Sequence, residues 1–434
     1  MPRQRRVIAE QAAEVLRRND VGEYTLPSRS QYPHMWNWDS AFCALGWAAL
    51  DADRAWTELE SLLAAQDAEG LVPSIAYRPG ATGYAPKPEW WGRTGGDGRA
   101  ITAISQPPVA ATCLRLLHER RPDEQRARAL LEPLQRWHDF LLGPRDPHGI
   151  GEPTVIHPWE SGRDNAAEWD EALADVPRVV PPEEVQREDV LSVAAAERPK
   201  DADYSGYLSL VKLGMEAGWD QRKLAAEGWF RVLDPGFSAI LARACHDLAL
   251  LAAELGEVEI AERAAGQSAR VAAAIISRAD GDGLVHPIDL RRERGIVRAR
   301  DLVGNRDLRP VGAGSALVLL TPGLPRDMVE ALRDLVCEGA LASPFGVRSL
   351  TRDDPDYEPQ RYWRGPVWAN VTWLCALGLD AHGEAAAAAL LRERMLDAVE
   401  SGGIREHVHP EAGTGHGAQD FSWTAALALW ELSG

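Results

Sequence analysis

Acidic side chains set beside tryptophan, histidine and glycine are the first chemical feature of this chain. Asp39 stands in HMWNWDS, Glu160 and Asp164 in HPWESGRDN, and Glu406 and Glu411 in GGIREHVHPEAGTG. Acids in such company belong near loops and aromatic walls rather than on solvated helix faces, and loss of water raises a carboxyl pKa. Two carboxyl groups of unequal acidity suit glycoside hydrolysis. A protonated one donates to the leaving oxygen, while an ionised one activates water or attacks directly. These candidates outnumber the two the reaction needs, so residue types alone leave the pair open. The aromatic residues point the same way. The chain has 16 Trp against 8 Tyr and 6 Phe. They gather at loop-to-helix junctions, at Trp36, Trp38, Trp90, Trp91, Trp159, Trp363, Trp368 and Trp423. A flat apolar face with one N–H donor fits the C–H face of a sugar ring, although roughly half of the tryptophans are expected to be plain core.

Other chemistries find less support. His34, His157, His407 and His409 are candidate metal ligands, and the HVH spacing in a strand-like run puts two rings on one side. A zinc site needs three or four convergent ligands, so structural, hydrogen-bonded histidines and no metal are expected. There is no GxSxG elbow, and GAGSAL (Gly312–Leu317) reads as a turn entering a helix. Phosphate-loop and dinucleotide fingerprints are absent, which argues against a nucleotide cofactor. So is the DxDD string of a helical prenyl cyclase. With 47 basic and 65 acidic residues the net charge is −18, which disfavours nucleic acid or an anionic membrane as partner. An anionic small substrate would need a local arginine site inside that field. The five cysteines are far apart in apolar runs, as expected of buried, reduced thiols in a cytoplasmic protein. The N-terminal MPRQRRVIAEQAAEVLRRND reads as an amphipathic helix without the apolar core of a leader. No uninterrupted apolar stretch reaches the length of a membrane span.

The elements that must position these residues are mainly helices. Apolar periodicity predicts them over Val7–Arg18, Asp39–Leu50, Arg54–Gln66, Pro108–Glu119, Gln125–Leu142, Tyr204–Ala217, Pro235–Leu255, Glu257–Arg278, Arg326–Glu338, Pro366–Leu379, Glu384–Val399 and Ser422–Leu432. Strand-like runs are short: Leu71–Tyr77, Thr154–Ile156 and Gly283–Leu290. A loose repeat recurs, in which a helix ends, a glycine follows (Gly70, Gly149, Gly283, Gly346, Gly403), and a short β-like run carries Pro, His or acids. At about 70 residues per helix pair this is long for a solenoid. A closed ring of six helix pairs, in one domain over residues 1–434, is the preferred reading, with loops clustered at one end to form a pocket. Asp170–Asp203 is Pro-rich, acidic and poorly periodic. It reads equally as an inserted loop over the pocket or as a solvated connector.

Five strings resemble family 63 of the glycoside hydrolases, in that family's order and across nearly the whole chain. They are QYPHMWNWDSAF (Gln31–Phe42), ISQPPV (Ile104–Val109), HPWESGRDN (His157–Asn165), RYWRGPVWANVTW (Arg361–Trp373) and GIREHVHPEAGTGHGAQDFSWTAA (Gly403–Ala426). They look closest to its compact bacterial enzymes acting on mannosylglycerate and glucosylglycerate. The resemblance implies an all-α (α/α)6 barrel with short hairpins in its loops, and inverting hydrolysis of a small α-glycoside. Asp164 would be the general acid and Glu406 the general base, with Glu411 set aside. It implies sugar contacts from Tyr32, Trp36, Trp38, Asp39, Gln106, Trp159, Tyr362, Trp363 and Trp368. Arg198 and Tyr204 would hold a glycerate carboxylate, which a guanidinium fork pairs best, and Tyr84 would help close over it. The family usually carries an aromatic residue after the base, where this chain has His407 and Val408. An α-glucosidase acting on neutral oligosaccharides and a sugar-binding protein without turnover are the alternatives. The sequence leaves the oligomeric state open, a homo-oligomer included.

Overall fold

The computed structural model describes residues 3–185, 187–291, 306–307 and 310–433; Gln186 of the expected insertion lies outside them. The helices in chain order are α1 (Arg3–Asn19), α2 (Asn37–Trp47), α3 (Ala52–Ala64), α4 (Ala110–Arg120), α5 (Glu124–Leu142), α6 (Asp170–Ala174), α7 (Asp201–Glu216), α8 (Gln221–Glu227), α9 (Pro235–Glu254), α10 (Val258–Ile276), α11 (Ala313–Ala316), α12 (Arg326–Cys337), α13 (Ala369–Ala381), α14 (Ala385–Gly402) and α15 (Ser422–Leu432). Local chemistry starts several of them. Asp51, Asp123 and Asp220 accept the backbone N–H three residues on, from Arg54 (3.1 Å), Arg126 (3.0 Å) and Lys223 (2.9 Å), satisfying amides that the first turn leaves free. At α9 the Asp234 side chain accepts from Gly236 N–H at 2.9 Å, with Pro235 at the first helical position.

Composition decides which helices lie inside. Every residue of α2 is buried, as are most of those in α13 and α15, because these helices are mainly apolar or small on all sides. In contrast α3, α5, α10 and α12 carry one apolar stripe and a charged opposite face. The buried set forms a cycle: α2 packs on α4, α4 on α9, and α9 on α11 and the 3-10 turn Leu317–Leu320. That turn packs on α13, α13 on α15, and α15 back on α2. The striped helices lie against this set, α1 on α15, α3 on α2, α5 and α10 on α9, and α14 on α13. Helix α9 has a mean hydropathy of 1.3, enough by length and composition to cross a membrane, yet 78% of that window is buried inside the protein.

Short antiparallel strands knit the loops. Met35–Trp36, Ile75–Ala76, Ala100–Ile101 and Arg93–Thr94 lie side by side in that order, as do Thr154–Val155, Val232–Leu233, Ile288–Asp289 and Arg306–Asp307. The strand-like runs expected over Leu71–Tyr77 and Gly283–Leu290 therefore shrink to two-residue pairings. The helix expected from Pro366 begins only at Ala369, because Val367 is instead bridged in extended conformation to Arg348 and Val408. Helices α6 and α8 were not predicted from periodicity, since helices of five and seven residues are too short to show it. The glycines of the loose repeat all have positive φ, and Gly403 directly ends α14.

Candidate active site

One cavity of about 1120 Å³, its open mouth included, collects the residues of all five motifs. Tyr32, Trp36, Trp38 and Asp39 reach it from the entry to α2, and Gln106 from the SQPP segment before α4. Trp159 and Asp164 reach it from the turn after Thr154–Val155, and Tyr362 and Trp363 from the loop before α13. Glu406 arrives on the strand Arg405–Val408, Tyr84 from the loop after Ile75–Ala76, and Tyr204 from the first turn of α7. The Asp170–Asp203 segment supplies Glu188, Asp189 and Arg198 to the wall.

The two acids singled out by the family resemblance have opposite surroundings. Asp164 is only partly covered, its carboxyl turned to the cavity, and no side chain among the described residues hydrogen-bonds it. Burial pushes its pKa from 3.8 up to about 7, with the charge of Arg198 pulling it down and that of Glu406 raising it. Glu406 is buried and surrounded by donors. Its Oε1 accepts from Tyr32 Oη at 2.6 Å and from Arg198 Nη1 at 3.3 Å, and its Oε2 accepts from Ala418 N–H at 2.8 Å. Both oxygens act as acceptors, the pattern that fits a carboxylate. The strand Gly415–Gln419 can approach this closely because position 417 is glycine. Gly417 has φ +68°, and a Cβ there would lie 2.6 Å from Glu406 Oε2.

Aromatic rings make the remaining wall. Tyr32 meets Trp36 edge to face at 5.1 Å, and Trp36 meets Tyr84 in the same way at 5.1 Å. Trp38 lies over Gly162, where a Cβ would fall 2.5 Å from the ring. Gly162 therefore permits the left-handed turn that leads from Trp159 to Asp164 under that ring. Asp39 is buried, and burial together with nearby Glu406 holds its carboxyl well above the usual range. Gln106 Oε1 accepts from Trp38 N–H at 3.4 Å. Tyr362 sits at φ 36°, a backbone region costly for a non-glycine residue. Its ring lies 4.2 Å from the Arg198 guanidinium, and Trp368 Nε1 donates to its carbonyl at 3.1 Å.

One expectation changes. Trp368, expected as a sugar contact, is fully buried behind the wall and stacks on Trp363 at 3.9 Å with 2° between the planes. It stiffens the ring that faces the cavity. Arg198 already faces two carboxylates, Asp189 through Nε at 3.0 Å and Glu406 through Nη1. Its Nη2 has no hydrogen-bond partner among the described residues. The other acids considered above point elsewhere. Glu160 is buried, pairs with Arg145 and accepts from Ser105 N–H (3.0 Å) and Ile156 N–H (2.8 Å). Glu411 accepts from Arg348 (3.0 Å) and Tyr357 (2.9 Å).

The histidines hold backbone or pack. His34, His157 and His409 accept backbone N–H groups, and buried His407 lies against Trp368 at 4.8 Å and His416 at 6.1 Å. Among the described residues no His, Cys, Asp or Glu group is arranged to hold a metal. Trp91, Phe421, Trp423 and Asp189 line the cavity without having been expected there. Trp91 and Trp423 do belong to the junction tryptophans; nothing in the local sequence marks Asp189.

The model of the mannosylglycerate hydrolase MGH1-like glycoside hydrolase domain matches residues 32–424. The chain is 40% identical to the mannosylglycerate hydrolase of Thermus thermophilus, covering 96% of this chain and 99% of that one. It is 36% identical to the glucosylglycerate hydrolase of Mycolicibacterium hassiacum over 97% of each chain. A crystal structure of the family 63 mannosylglycerate hydrolase of Thermus thermophilus with Tris and D-glycerate superposes with a TM-score of 0.89 at 37% identity, covering 98% of this chain and 99% of that one. With motifs, acids and full-length similarity in agreement, the chain belongs to the MGH1-like family of glycoside hydrolases.

Proposed function

We propose that this glycoside hydrolase cleaves a small α-glycoside of glycerate, mannosylglycerate or glucosylglycerate, with inversion at the anomeric carbon. Asp164 is the acid and Glu406 the base. The observation that carries this reading is the contrast between the two carboxyl groups lining one cavity. One has no side-chain hydrogen-bond partner among the described residues and is pushed up to about 7, and the other is held by Tyr32, Arg198 and a backbone N–H. The proton on Asp164 passes to the glycosidic oxygen as the bond from that oxygen to the anomeric carbon breaks. Water attacks from the opposite face and gives its proton to Glu406, releasing the β-anomer of the sugar and glycerate. The inverting geometry calls for the two carboxyl groups about 6.5–9.5 Å apart, with the water between them.

The Nη2 of Arg198, without a hydrogen-bond partner among the described residues, suits the glycerate carboxylate, with Tyr204 and Tyr84 also on the wall. Asp39 and Gln106 would take sugar hydroxyls. The helical cycle is consistent with an (α/α)6 barrel, and five buried free cysteines support a cytoplasmic setting. A neutral α-glucoside is the second reading, favoured by the fact that Arg198 already faces two carboxylates. Proton NMR of the first product formed from each glycerate glycoside tests the proposal, with kojibiose, nigerose and trehalose in parallel. Initial release of the α-anomer would sink the inverting mechanism, and faster turnover of a neutral disaccharide would favour the second reading.

A further inference from the structure

The segment that carries Asp164 is gripped from behind by charges the proposed reaction does not touch. The Arg163 side chain is 1% exposed and its two acidic partners are 0% exposed. Nη1 donates to both oxygens of Glu168, at 2.9 and 2.8 Å, and Nη2 donates to Asp234 Oδ1 at 2.6 Å. The guanidinium lies 5.0 Å from the Trp169 ring. Gly314 leaves it room, since a Cβ there would fall 2.5 Å from Nη2. A buried cluster of this kind is poor evidence for stability, because desolvation consumes most of the attraction; fixing one conformation is the better-attested use.

The backbone around the acid is pinned in the same way. The Arg163 carbonyl accepts from Trp169 Nε1 at 2.7 Å, and the Asp164 carbonyl accepts from Tyr207 Oη at 2.9 Å. Asn165 Oδ1 accepts from Trp363 N–H at 2.9 Å. Among the described residues the Asp164 carboxyl has no side-chain partner, so its direction follows the backbone that Arg163 anchors. Resting on the assignment of Asp164 as acid, we propose that Arg163, clamped between Glu168 and Asp234, is a positioning residue that aims the Asp164 carboxyl at the leaving oxygen. The planar fork matters more than the charge, because two guanidinium nitrogens bonded to two separate acids fix the rotation of residue 163 where one ammonium would not. Asp234 also caps α9, so the clamp ties the acid's turn to a central helix.

Two substrates separate aiming from folding. A glycerate glycoside needs a proton on its leaving oxygen; the α-glycosyl fluoride of the same sugar departs with little acid assistance. Asp164→Asn sets the reference, with selective loss of glycerate glycoside turnover. Arg163→Lys, checked for native circular dichroism and cooperative melting, is expected to lose at least about tenfold in kcat on the glycerate glycoside. Its KM and its fluoride hydrolysis should stay within about threefold, since a misdirected acid costs rate without costing binding. Should Arg163→Lys fail to fold, Glu168→Gln keeps the shape and an acceptor oxygen and is expected to show the same split, only smaller. Equal losses on both substrates would make the clamp merely structural, and unchanged kinetics would remove it from the reaction; either overturns the proposal. If Asp164→Asn itself keeps glycerate glycoside turnover, the acid assignment fails first, whatever Arg163 does.

Discussion

Replacing Asp164 with Asn is expected to abolish glycoside turnover and to stabilise the protein at alkaline pH. Burial lifts this carboxyl from its ordinary 3.8 to about 7, so between those values the folded state binds a proton that the unfolded chain has lost. The stability contribution is therefore most favourable below about pH 4, falls as pH rises through about 7, and is level above it. At about 1.4 kcal/mol per pH unit the full gap is worth about 4 kcal/mol. Because Asp164 keeps partial contact with water in the cavity, roughly half of that is expected, about 2 kcal/mol. Asn has the same shape and pays no ionisation cost. For 434 residues, an unfolding entropy of about 2.1 cal/mol/K per residue converts 2 kcal/mol into about 2 °C. Thermal melts of the two proteins should thus differ by about 2 °C at pH 8.5, with the variant higher, and by under about 1 °C at pH 4.5. In the same series wild-type kcat/KM should fall about tenfold per pH unit above about 7, as the acid loses its proton. A variant that melts lower than wild type at pH 8.5, or a wild-type rate undiminished at pH 9, would refute the reasoning.

Three further outcomes follow from the base and its surroundings. Gly417→Ala places a methyl 2.6 Å from Glu406 Oε2 at a φ of +68°; a kcat loss of about 10–100-fold in steady-state assays is expected, as for a displaced catalytic group. Tyr32→Phe removes the 2.6 Å hydrogen bond to Glu406. A charge-assisted bond of this kind is worth about 1.5–3 kcal/mol, so kcat/KM should drop roughly 10–100-fold, and normal kinetics would show that Tyr32 does not support the base. Arg198→Lys should lower kcat for every substrate, through lost contact with Glu406, while raising KM by at least about tenfold only for glycerate glycosides. Comparing a glycerate glycoside with its glycerol counterpart checks this, and equal KM changes would remove Arg198 from carboxylate recognition.

How much of this was legible in the chain follows from the range of the forces involved. Helices α3, α5, α10 and α12 could be read directly, because a 3.6-residue apolar period is a local property of the sequence. The candidate acids could be listed for a similar reason, as they sit beside tryptophan, glycine or histidine, but only the family resemblance singled out Asp164 and Glu406 among them. Tertiary structure alone decided what each of them meets. Closing the helical cycle brings Tyr32, Arg198 and Glu406 together from positions 166 to 374 residues apart, and no local pattern specifies such a pairing. It also placed Trp368 behind Trp363 rather than at the cavity, turned Arg198 toward Asp189 and Glu406, and left Asp164 without a side-chain hydrogen bond among the described residues. Side-chain identity sets what a group can donate, accept or stack upon, but its protonation and its task depend on which distant elements exclude water around it.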